Sequence, residues 1–197
     1  IVVALSFLAI LIGRIVHQGY TTFVDYQISV PVTLDAGRID AADPAGANYD
    51  LMVAEAVLAK LGEHDDEFGG KAGKVMEVMS NDLGFQLLKM VREDPSLIGK
   101  TITVTGPLKS DAALYFKGEI KRATAEDERK LDDQQLDWLD KLKASGAVTS
   151  GFNTGFLTRS DSTEPEQAGV LGAVVGSLMM LLVTAVLAIP VGVLAAT

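Results

Sequence analysis

Cysteine is absent from the 197 residues, which removes disulfides, zinc-thiolate sites and cysteine nucleophiles together. Histidine occurs only at His17 and His64, in unlike settings, so the spacing offers no Ser/His/Asp triad and no paired carboxylates organised for acid–base work. Clusters of Lys and Arg are missing as well. The bases are interspersed with a larger number of acids, which excludes the concentrated positive charge that nucleic-acid phosphates require. The most consequential absence lies at one end: from Gly169 to Thr197 no side chain is charged. A helix of that length reaches about 43 Å at ~1.5 Å per residue, against a hydrocarbon core of roughly 30 Å. It can span a membrane, and lipid is its expected surroundings.

What is present inside that run carries further information. Gly172 and Gly176 are spaced G-x-x-x-G, and Ser177, Ala185, Ala188, Gly192 and Ala196 add small side chains where a neighbouring helix can approach closely. Pro190 removes one intrahelical hydrogen bond and predicts a kink or thinning, which membrane helices tolerate when neighbours satisfy the freed carbonyl. These residues are common in membrane helices generally, and they are also what a helix inside a polytopic bundle needs. Thr163-Glu-Pro-Glu166 predicts a capping box, with Thr163 and Glu166 as the reciprocal pair at the start of this helix.

The other end is apolar over Ile1 to Gly13 apart from Ser6, then Arg14 interrupts before Ile15 and Val16. Arg14 can snorkel to the interface, with Tyr20 and Phe23 as belt residues, or line a pathway. The chain opens on Ile and closes within an apolar run, so both membrane helices read as truncated. The expected organisation is a first membrane helix over 1–19, an acidic α+β domain over 20–162, and a second apolar helix over 163–197.

Residues 20–167 hold 16 bases against all 26 acids, a formal charge of −10. That length suits one globular core. Neither the missing cysteine nor the flanking charges fix the side of the membrane it occupies. From Phe23 to Leu34 apolar and polar residues alternate, predicting a strand with one buried face, and Pro31 predicts a sheet edge or a bulge. Asp43-Pro44 reads as an N-cap with proline at the first helical position, followed by a stripe of Leu51, Ala54, Val57, Leu58 and Leu61 ended by Gly62. Helical spacing resumes at Val75–Met79 and at Leu83, Leu87, Leu88 and Val91, with the methionines as core filler. Thr101–Thr105 reads as a second strand, and Ser110–Gly118 as a short helix or a strand. Thr124–Ser145 is the expected long helix: Thr124 caps it, Leu131, Gln135, Trp138, Leu139 and Leu142 form its face, and Glu126–Lys130 and Asp137–Lys141 pair along it. Trp138 is a core anchor or a stacking surface.

Two local strings invite chemistry and fail its requirements. His64-Asp-Asp-Glu67 has ligand types but neither a D-x-D-x-D-G loop nor an H-E-x-x-H helix, and reads as a solvated acidic turn. Gly69-Gly-Lys-Ala-Gly-Lys74 lacks the leading glycine and the Ser or Thr after lysine that a phosphate loop requires. No metal and no cofactor is expected.

The string Thr163 to Leu178, continuing through Ala188-Ile-Pro-Val-Gly-Val-Leu-Ala-Ala196, resembles the first core helix of phosphate ABC transporter permeases of the PstA family, where A-G-I-x-x-A-x-x-G-S/T-L leads to P-x-G-V/I-x-A-A. The middle resembles the extra domain that some proteobacterial members carry. The landmarks are Val30–Asp35, Asp94–Gly99, Phe116–Gly118, Gln135–Leu139, Phe152-Asn153 and Phe156–Thr158. The resemblance implies a multi-pass subunit of the bacterial inner membrane, without enzymatic activity of its own, that passes inorganic phosphate inward. Its implied partners are a periplasmic phosphate-binding protein, a second permease subunit and a separate ATP-binding subunit. It places the domain in the periplasm and the ATPase-coupling loop beyond Thr197. Because the domain's charge repels phosphate, its expected role is to dock the binding protein or the partner permease. The alternative is a two-helix sensor with a periplasmic sensory domain, whose second helix leads into a charged linker and a heptad coil.

Overall fold

The computed structural model describes residues 2–65, 70–158 and 169–196, and the chain divides into two compact units, 24–152 and the terminal segments 1–23 with 153–197.

The first of these is an α+β unit built on a three-stranded antiparallel sheet in the order β2-β1-β3. Strand β1 is Val24–Thr33, β2 is Thr101–Pro107 and β3 is Val148–Phe152. The predicted alternation holds: Ile28, Val30, Val32 and Leu34 are fully buried, while the opposite face is polar and joins Ser29 to Thr105 and Thr33 to Thr101 by hydroxyl contacts of 2.7 and 2.8 Å. Helices cover only the apolar face, the arrangement expected of an antiparallel sheet with one solvated side. Helix α2 (Tyr49–Leu61) packs on β1, α4 (Asp82–Glu93) on β2 and α6 (Asp133–Ala144) on β3. Helix α3 (Gly70–Val78) lies against α2, and α5 (Ser110–Lys117) touches β1.

Several sequence expectations need correcting. Strand β1 is the central strand, although Pro31 suggested a sheet edge or a bulge. The Ser29 N–H points toward β3, donating to Ala147 O at 2.9 Å, and Leu34 N points the other way, to Lys100 O at 3.0 Å. By the two-residue repeat the Pro31 nitrogen faces the β3 side, where pairing has already ended at Ile28↔Val148. The proline therefore costs the ladder nothing. We expect Pro31→Val to change stability by less than about 0.5 kcal/mol in urea denaturation followed by circular dichroism; a loss above about 1.5 kcal/mol would show that this side of β1 needs the proline.

Asp43-Pro44 opens only a 3-10 turn over Pro44–Gly46, and α2 begins later, capped by the Asn48 side chain, which accepts from Leu51 N at 3.0 Å. The sequence-predicted helix over 124–145 starts at Asp133, because Asp132 and Gln135 form the capping box there and residues 126–128 make a separate 3-10 turn. Its predicted pairs change accordingly: Lys130 reaches Asp111 at 3.5 Å and Asp137 takes Arg122 at 2.7 Å. Residues 110–117 form a helix rather than a strand, with Ser110 inside its first turn and Lys109 at the cap position. The third strand, β3, was not foreseen.

In the terminal unit, α1 (Val2–Gly19) runs into a 3-10 turn over Tyr20–Phe23, and a short helix α7 (Thr154–Thr158) precedes α8 (Leu171–Ala196). Among the described residues α8 holds one segment long and apolar enough to cross a membrane, Leu171–Val193, with mean hydropathy 2.5. The apolar stretch of α1, Ser6–Val16, is shorter. Helix α8 continues through Pro190 without a break.

Candidate functional site

The residues singled out on the second apolar helix fall on two sides of α8. At ~100° per residue, Gly172, Gly176 and Pro190 lie within roughly 40° of one another, whereas Ser177, Ala185, Ala188, Gly192 and Ala196 gather on the opposite side. A Cβ added at Gly176 or at Gly192 would meet nothing within 4 Å. The described side chains of α8 from Leu171 onward are exposed. Thr163 and Glu166 lie outside the described residues.

The terminal unit also fixes how its helices begin and end. Asn153 N donates to Phe23 O at 2.8 Å, and the Asn153 side chain accepts from Phe156 N at 2.9 Å. Val170 N donates to Phe156 O at 2.8 Å, and the Phe23 and Phe156 rings meet edge to face with centroids 5.3 Å apart. The end of α1 and the start of α8 are thereby tied through α7. Phe23 and Tyr20 are exposed.

In the α+β unit, the described residues of the two strings that invited chemistry make structural contacts. Asp65 Oδ1 accepts from Lys71 N and Ala72 N, capping α3, while Asp66 and Glu67 lie outside the described residues. Lys71 Nζ donates to Glu63 Oε2 at 2.9 Å. No group of His, Asp and Glu among the described residues is arranged to hold a metal. Trp138 is a core anchor, 1% exposed, with its indole N–H donating to Glu63 Oε1 at 2.8 Å. That bond first, and the Lys71 ammonium second, hold the Glu63 carboxyl below the ordinary glutamate value.

One concavity of the unit combines exposed apolar surface with a carboxylate that makes no hydrogen bond and no ion pair among the described residues. A cavity of about 330 Å³ opens between the segment Gly46–Asp50, which leads into α2, and Gly84, Phe85 and Leu88 of α4. Asp50 lies in the first turn of α2 and is half-buried. Burial pushes its carboxyl up, against the pull of the Lys109 charge. The close approach of α4 depends on Gly84, because a Cβ there would overlap Asp50 Oδ1 and lie 2.9 Å from Asp50 Cγ. Tyr49 forms a wall fixed by its hydroxyl bond to Pro44 O at 2.9 Å. Sequence reasoning missed this place. Its one visible signal was Phe85, an aromatic residue that falls off the Leu83, Leu87, Leu88, Val91 stripe.

Fold and site define a class: an acidic α+β domain inserted between apolar helices, with a surface concavity and no assembled catalytic group among the described residues. The chain belongs to the family described as "Domain of unknown function (DUF3333)", whose model matches residues 1–126. No curated protein and no solved structure matches it.

Proposed function

We propose that this chain forms part of a transmembrane permease subunit of an ATP-driven importer of inorganic phosphate, with the α+β unit as an extracytoplasmic docking domain. The observation that carries the membrane part of this reading is the tie between Phe23, Asn153, Phe156 and Val170. It holds the end of α1 and the start of α8 at one level, so both helices can enter one bilayer from the same side, with Arg14, Tyr20 and Phe23 at that interface. The two opposite small-residue sides of α8 support a helix flanked by neighbours on both sides, as in a polytopic bundle. A single lipid-bathed anchor has no use for either.

The importer reading rests on the resemblance of Thr163–Leu178 and Ala188–Ala196 to PstA-type permeases. The docking role rests on charge: residues 24–152 hold 15 bases against 23 acids, and a surface at −8 attracts a basic protein and repels free phosphate. Because the chain has no cysteine, a Ser145→Cys variant carries a single reactive thiol within it. In cells that depend on this protein for phosphate uptake, a membrane-impermeant maleimide added outside the inner membrane is expected to label the introduced thiol, with uptake retained. Labelling only from the cytoplasm would overturn the topology, and uptake indifferent to loss of the protein would overturn the importer.

A further inference from the structure

Among the described residues of 24–152, two large apolar side chains are exposed, Phe85 at 69% and Phe152 at 61%. Phe152 closes β3 at the boundary of the unit. Phe85 stands apart, on the outer side of α4 among Asp82, Gln86 and Lys89. Its ring contributes little to the core, yet it lines the cavity of about 330 Å³ whose other side carries Asp50. Among the described residues the Asp50 carboxylate has no hydrogen bond and no ion pair, and Gly84 leaves it the room it occupies. A half-buried carboxylate without a hydrogen bond or ion pair, felt only at longer range by the Lys109 charge, is costly to keep, and it is attracted to a cation more strongly than a fully solvated one. An exposed aromatic face beside it favours the same kind of ligand.

We propose that this cavity receives a basic side chain, arginine or lysine, of a partner protein, with the Asp50 carboxylate pairing the charge and the Phe85 ring covering the cation. This rests on the docking role proposed above and names the chemistry of the contact. The general acidity of the domain brings a basic partner near. The Phe85–Asp50 pair gives it one defined anchor, in the manner of interfaces where an aromatic or arginine contact in a pocket dominates. An acidic partner side chain would face like charge at Asp50, and an apolar one would leave the carboxylate buried and unpaired.

The test uses the whole chain in nanodiscs with 4-fluorophenylalanine at its seven phenylalanines, the residue-85 resonance being assigned by its loss in Phe85→Ala. The probes are acetyl-Gly-Arg-Gly-amide and its citrulline counterpart, which has the same shape without the charge. The arginine peptide is expected to shift the residue-85 resonance saturably and the citrulline peptide to leave it in place. Asp50→Asn is expected to weaken binding by about tenfold or more, while Asp127→Asn, the same charge change at an exposed site elsewhere in the domain, changes it by less than about twofold. Absence of a saturable shift, or equal effects of the two substitutions, would overturn the proposal. Co-purification of the parent protein with the binding protein and the partner permease separates the two readings. Intact association with a silent residue-85 resonance sinks this inference alone, whereas peptide binding at Phe85 without any association sinks the docking role and upholds the chemistry of the site.

Discussion

Trp138→Ala is expected to remove about 3–5 kcal/mol from the stability of the α+β unit, against roughly 5–15 kcal/mol for a typical domain. The indole is 1% exposed and sits among Leu136, Leu139 and Leu142 on the buried face of α6. Truncation leaves a hole that helices pinned at both ends fill only in part. A second loss is polar. Glu63 Oε1 gives up its 2.8 Å bond from the indole N–H and keeps only the Lys71 ammonium on Oε2.

Trp138→Phe separates the two, because it preserves most of the volume and removes only the donor, at an expected cost of about 1–1.5 kcal/mol. The pH dependence identifies the polar part. A carboxyl held below its ordinary value of 4.5 in the folded state contributes stability that is present above that value and is lost as pH falls through the lowered one. The gap between wild type and Trp138→Phe should therefore narrow under acid, whereas the cavity loss in Trp138→Ala persists. Urea denaturation followed by circular dichroism reads both. A Trp138→Ala variant within about 1 kcal/mol of wild type would mean that the indole is not the keystone of this core.

The elements that were legible in the sequence are those whose burial is one-sided and regular. Strand β1 shows its face through Ile28, Val30 and Val32 because helices cover only that side. Strand β3 was invisible because only its first residue, Val148, is buried; Thr149, Ser150, Gly151 and Phe152 are exposed, leaving no alternation to read. Helix starts were misread wherever several capping residues competed. Thr124 and Asp43 are acceptable caps in isolation, and packing selected Asp132 and Asn48 instead. The apolar faces survived these shifts of boundary, since burial depends on spacing within a helix and not on where it begins. The Phe85–Asp50 concavity was out of reach for a different reason. Asp50 and Gly84 belong to separate helices, and only the close crossing of α2 and α4 brings them together.

The second large effect is expected at Gln135, a buried amide that serves two structures at once. It is 2% exposed. Its Oε1 accepts from Asp132 N at 3.0 Å and completes the cap of α6, while its Nε2 donates to Lys74 O at 3.1 Å and to Glu77 Oε2 at 2.8 Å on α3. Gln135→Leu keeps the bulk and strips both functions, taking these bonds from the half-buried Asp132 and Lys74 and from the exposed Glu77, with an expected loss of about 2–3 kcal/mol. Gln135→Glu distinguishes the roles. Its carboxylate still accepts from Asp132 N, so the cap is preserved, but toward α3 it presents acceptors to the Lys74 carbonyl and to the Glu77 carboxylate. Burial and the neighbouring negative charge raise the pKa of the introduced carboxyl, so the variant is weakest near neutral pH and recovers as pH falls and the group regains a proton to donate. The Leu variant has no such recovery. Urea midpoints at neutral and mildly acidic pH decide the matter: Gln135→Glu as stable as wild type at neutral pH would show that the tie from α6 to α3 contributes nothing and that Gln135 acts through the cap alone.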